Sequence, residues 1–193
     1  MSLKSILPAL SLCVLIAAHP LRAQHVRTAS LTEAEVELVR ESAVFPAERV
    51  KVYTKFLEER AARIKDLTSR PKSAQRVFKL DNALQDFTAL MDETGSNLDQ
   101  YSDRHSDIRK GLKPLTEAMP RWLSILRTLQ GESGFDLARK EAIESGEELS
   151  DQASRLLREQ EEYFATHKDE KNQERNDDAV KPADSKPTPK PRN

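Results

Sequence analysis

The sequence predicts an all-α protein: an elongated antiparallel bundle of four to five helices, preceded by an export leader and followed by a disordered tail. Three observations carry this expectation. Apolar residues return at steps of three and four through most of residues 31–167, which keeps one face of a helix dry. The composition favours Ala, Leu, Glu, Lys and Arg, with 33% of residues charged, and all five glycines lie at or after Gly95. Outside that span, residues 1–23 and 168–193 lack the periodicity and have the character of a leader and a tail.

Residues 1–23 have the order of a signal peptide: Lys4 as a positive start, Ile6 to Ala18 as an apolar stretch, and Leu21-Arg22-Ala23 as the cleavage site. The apolar stretch is about 13 residues, short of the roughly 20 that a membrane-spanning helix needs, so cleavage before Gln24 is expected. The single cysteine, Cys13, lies inside the leader and is preceded by Leu12, which does not suit a lipid anchor. The mature chain then has no thiol, and neither a disulfide nor a thiolate metal site can form. Removal of Lys4 and Arg22 changes 31 basic against 32 acidic residues to 29 against 32. A net charge of about −3 gives no whole-chain attraction to nucleic acid.

Residues 24–30 are read as a flexible mature N-terminus, before a bundle domain over 31–167. Thr32 and Glu35 have capping-box spacing, so a first helix is expected from about Leu31 to Ala43, with Leu31, Ala34, Leu38 and Val39 giving it a buried side. Pro46 suits the first turn of a second helix, from about Ala47 to Ser69, whose apolar stripe is Val50, Tyr53, Leu57, Ile64 and Leu67, widened by Phe56 and Ala61. Arg70-Pro71 ends it.

The third segment has the most regular pattern. Alternate steps of three and four from Val77 pass through Leu80, Leu84, Phe87, Met91, Thr94, Leu98, Tyr101, His105 and Ile108, and only Thr94 and His105 are neither apolar nor aromatic. A repeat of 3.5 residues is the condition for knobs-into-holes packing, and Phe78, Ala83 and Leu90 widen the seam toward a multi-helix bundle. The same register continues through Leu112, Leu115, Met119, Trp122, Leu126 and Leu129, but Gly111 and Pro114 predict a turn or kink near residues 111–114, and Pro120 a second kink or start. After the break at Gln130 to Gly134, a last helix from Phe135 to about His167 carries Ala138, Ala142, Leu149, Ala153, Leu156 and Tyr163 on one face. The third and last helices, each on the order of 50 Å long, exceed their neighbours, so one end is expected to be two or three helices thick. Residues 168–193, with three Lys-Pro steps and almost no apolar residues, cannot offset chain entropy by burial and are expected to be disordered.

Assembled chemistry is hard to find in this chain. The residues three before His25, His105 and His167 are Arg22, Ser102 and Phe164, so the Glu-x-x-His pairs of di-iron bundles do not occur. His-Glu-x-x-His, Cys-x-x-Cys-His, Gly-x-Ser-x-Gly and a phosphate-binding glycine loop do not occur either. No catalytic residue, cofactor or metal is therefore assigned. His105 shares its helical face with Tyr101, Ser102, Ile108 and Arg109, none of them a carboxylate or histidine, and is read as a structural histidine at the core edge. Arg121-Trp122 joins two residue types common in interaction hot spots, although the register of Trp122 favours core packing. Tyr101, His105, Arg121 and Trp122 are thus the interaction candidates, as seam residues that a partner can reach.

Leu31-Thr32-Glu33-Ala34-Glu35 resembles the Leu-Thr-x-x-Gln opening of small helical periplasmic stress chaperones, with Glu35 in place of Gln and no second copy. The functional expectation is a non-enzymatic, exported interaction protein of the periplasm or extracellular space, acting as adaptor, scaffold or chaperone-like binder. Its partner would be another protein or, where the seam pairs between chains, a second copy. The alternative is peripheral contact with a membrane or cell-wall surface through amphipathic helices and the basic tail.

Overall fold

Apolar stripes at helical spacing close on one another in a computed structural model that describes residues 30–168. Five helices form, in the order α1 (Glu33–Glu41), α2 (Pro46–Ser69), α3 (Ala74–Asp103), α4 (Arg109–Thr128) and α5 (Asp136–Thr166), with no strand among the described residues. The expected leader, mature N-terminus and tail lie, apart from Ser30 and Lys168, outside the described residues.

The core is made of α2, α3, α4 and α5, the backbone of each packed alongside two of the others; α2 stands diagonally opposite α5, and α3 opposite α4. The four therefore stand as a ring in the order α2, α3, α5, α4. Neighbours joined by hairpins run antiparallel, as expected: Arg49 meets Tyr101 while Tyr53 meets Glu93, and Lys113 meets Glu161 while Arg127 meets Glu147. The expectation of an antiparallel bundle fails for the other two pairs. Val50 lies against Gly111 and Glu58 against Trp122, and Asp92 meets Ser145 while Asp99 meets Gln152, so α2 and α4 run parallel, as do α3 and α5. Parallel neighbours require the α3–α4 connection to cross the bundle diagonal.

That crossing corrects two boundaries read from the seam. Helix α3 stops at Asp103, well before Gly111, in a Schellman arrangement: His105 has φ 52°, its N–H donates to Ser102 O, and Ser106 N–H donates to Tyr101 O. Histidine occupies the left-handed position that glycine usually takes. Buried Gln160 of α5 then holds the loop, donating to Ser106 O at 2.8 Å and accepting from Ile108 N–H at 3.0 Å. Gly111 and Pro114 lie inside α4, which runs through both to Thr128, so the expected turn does not form there. A Cβ on Gly111 would lie 2.5 Å from Ala47 O and 2.7 Å from Val50 Cβ, so this glycine allows two helix backbones to touch. Pro114 is half-buried and Pro120 exposed, and the carbonyls they leave unbonded belong to exposed Lys110 and half-buried Thr116.

Most of the predicted core is buried, including the α2 stripe, the α4 register from Leu112 to Leu129, and the α3 seam from Leu80 to Tyr101. Thr94 fits the seam because its hydroxyl donates to Leu90 O at 2.7 Å, leaving no unpaired donor. Phe78 departs from expectation, being 64% exposed at the first turns of α3. On α5, Phe164 is buried and Tyr163 only half so, and the Arg109 guanidinium covers the Phe164 ring 4.6 Å from its centre. The end expected to be thin is filled by the connection after α4, where Leu129 and Phe135 are buried and Gly134 packs on Val77.

Candidate functional site

The capping box at the start of α1 forms as expected: Thr32 Oγ1 accepts from Glu35 N–H at 3.3 Å, and Glu35 Oε2 accepts from Thr32 N–H at 2.8 Å. The same carboxylate receives two bonds from Arg60 of α2, at 2.7 and 2.8 Å, and Arg60 also donates to Ser30 O at 3.0 Å. The Ser30 hydroxyl donates to Glu93, which also accepts from the Tyr53 hydroxyl at 2.8 Å. Burial and neighbouring Glu93 hold the Tyr53 phenol above its ordinary pKa. A polar chain through three elements thus fastens the entry of α1 to the bundle.

Apolar packing contributes much less to that attachment. No residue of α1 is buried; only Leu31 and Val39 press on the core, each partly covered. The expected buried side is therefore corrected, with Leu38 44% and Val36 38% exposed. Beyond the helix, Val44 and Phe45 are 61% and 58% exposed. Four large apolar side chains within ten residues thus face water, in a segment whose exposed charges are mostly acidic: Glu33, Glu37, Glu41 and Glu48, with Arg40. Concentration of this kind, and not scattered exposure, marks contact surfaces.

The four seam candidates do not come together. Tyr101 is 5% exposed, its hydroxyl accepting from Arg49 at 3.3 Å, so it is core and not an exposed anchor. Trp122 is 1% exposed, with its indole N–H donating to Glu58 Oε2 at 2.7 Å and its ring edge-on to Phe87 at 6.1 Å. Neither is therefore an exposed anchor: the α3 seam turns Tyr101 inward, and the α4 register turns Trp122 to the bundle centre, the core packing that its register favoured. Arg121 is exposed and pairs with the same Glu58 carboxylate. His105 is exposed on the crossing loop, off the helical seam, stacked on Tyr163 at 5.7 Å; Tyr163 also stacks on His167 at 4.1 Å. No group of three or more His, Cys, Asp or Glu able to hold a metal occurs among the described residues.

Val36, Val44 and Phe45 were not singled out from sequence. The available signal was Val44-Phe45 directly before Pro46, an apolar pair outside any helical stripe. Comparison with protein-family models, curated proteins and solved structures returned no match.

The Arg60 bonds, followed by those from Thr32, lower the Glu35 pKa from an ordinary 4.5 to about 2. A carboxylate favoured in the folded state adds stability that is complete above pH 4.5 and is lost as pH falls toward 2. With 14% of the Arg60 side chain and 13% of the Glu35 side chain still open to water, screening reduces the contribution to α1 attachment to about 2 kcal/mol. Glu35→Ala should therefore lower amide-exchange protection over residues 33–41 roughly thirty-fold at neutral pH, leaving α2 to α5 protected. Acid should do the same to the wild-type chain and much less to the variant, and equal protection in both proteins at pH 7 would refute the tether.

Proposed function

We propose that the chain is a non-enzymatic, exported interaction protein whose docking surface is α1 with its junction to α2. The observation that carries this reading is the exposure of Val36, Leu38, Val44 and Phe45 within an acidic segment. The partner of matching chemistry is a polypeptide segment with an apolar face flanked by basic residues, recognised through burial first and charge second. Support for export comes from the leader-like order of residues 1–23. Support for a non-enzymatic role comes from the motifs named above as missing, and from buried Thr94 and Gln160, whose polar atoms bond to the protein's own backbone.

A fluorescently labelled amphipathic Leu/Lys peptide tests this by anisotropy. Binding to the wild-type chain is expected, weakened at least tenfold by combined Val44→Ser and Phe45→Ser with no change in the unfolding midpoint, since both side chains are exposed. Equal binding by the double variant sinks the docking surface.

A further inference from the structure

At the opposite end of α2 from Phe45, a cavity of about 610 Å³ opens between the α2–α3 turn and the α4–α5 connection. Its size lies within the range of small-molecule pockets. Lys65, Arg70, Lys72 and Arg76 line it, together with Ile125 and Leu129. These four cations come from only twelve residues of sequence, and the turn at Pro71 folds them to one place.

Arg76 is the unusual member. It is 7% exposed, its Nη2 donates to Glu132, and its buried Nε has no hydrogen-bond partner among the described residues. A buried guanidinium donor without an acceptor is costly, and buried polar groups ordinarily find one. The local charge is also unbalanced. Glu132 is shared between Arg76 and Lys72, whose Nζ lies 3.6 Å away, and Asp66 engages Arg70, while Lys65 makes no ion pair among the described residues. Four cations against two carboxylates leave two positive charges beside the cavity. The N-terminus of α3, capped by Ser73 three residues before Arg76, adds potential of the same sign.

We propose that this cavity binds a phosphomonoester, free or as the headgroup of a lipid. A phosphate dianion balances the two charges where a carboxylate balances one, and its oxygens can accept from several donors at once. Ile125, half-buried, and Leu129, 8% exposed, form the apolar wall against which the ester's organic part lies. The site is separate from α1 and does not depend on the docking reading.

Calorimetric titration of the full chain with glycerol phosphate, and with acetate at equal ionic strength, tests the proposal. Glycerol phosphate should bind at least tenfold more tightly than acetate, and combined Lys65→Gln and Lys72→Gln should weaken it at least tenfold without moving the unfolding midpoint. Glu132→Gln should tighten phosphate binding, because it removes the competing carboxylate. Co-sedimentation with phosphatidic acid vesicles, reversed by glycerol phosphate, identifies the lipid-borne source; titration heat without co-sedimentation identifies the free one. Acetate binding as tightly as glycerol phosphate, or phosphate binding that survives the double lysine variant, overturns the assignment.

Discussion

Trp122→Ala should be the most damaging single substitution, lowering the unfolding free energy by about 3–5 kcal/mol. Trp122 reaches from α4 across the bundle to Phe87 of α3, the helix diagonally opposite, and it bonds laterally to Glu58 of α2. Truncation leaves a cavity at the centre of the ring of helices, where no single neighbour can move in without leaving its own contacts. Trp122→Phe retains much of the packing and loses chiefly the N–H bond, so about 1–2 kcal/mol is expected. Urea denaturation of the three proteins measures both differences, and an alanine variant within 1 kcal/mol of wild type contradicts a central position.

Gly111→Ala sets two effects of opposite sign against each other. Alanine favours a helix interior over glycine by about 1 kcal/mol. Its Cβ, however, would meet the Ala47 carbonyl at 2.5 Å and Val50 Cβ at 2.7 Å, and these are not flexible side-chain ends that can swing away. Separating α4 from α2 costs contacts along both helices, and overpacking of this kind typically costs 1–3 kcal/mol, so a net loss of about 2 kcal/mol is expected. Gly146→Ala is the informative contrast, since its Cβ would meet the end of the Leu123 side chain at 2.9 Å. Thermal unfolding should rank Gly111→Ala well below Gly146→Ala; the reverse order refutes the close backbone approach.

How much was legible in the sequence depended on how local each determinant is. The Thr32–Glu35 box and the Pro46 start use residues within one turn of each other, and both formed where the pattern placed them. The buried faces of α2, α4 and most of α3 and α5 followed from the step of three and four, since periodicity alone decides which side of a helix is apolar. Gly111 was read as a breaker because propensity describes an isolated helix, whereas its use lies in contact with residues some sixty positions away. Likewise the seam ran arithmetically through His105 and Ile108, although Ile108 is buried from a loop. The basic cavity was missed because Arg70-Pro71 was read only as a helix end.

Unaided, the amino-acid order determined the helical class and which face of each main helix turns inward, because both depend on neighbours within a turn or two of chain. The tertiary structure alone decided that α2 pairs in parallel with α4, that α3 pairs in parallel with α5, and that Val44 and Phe45 stay outside. A stripe states that a surface must be covered but not by which helix, and stripes of similar width and composition are interchangeable partners until close contacts such as Gly111 on Ala47 and the Gln160-held crossing loop select one pairing.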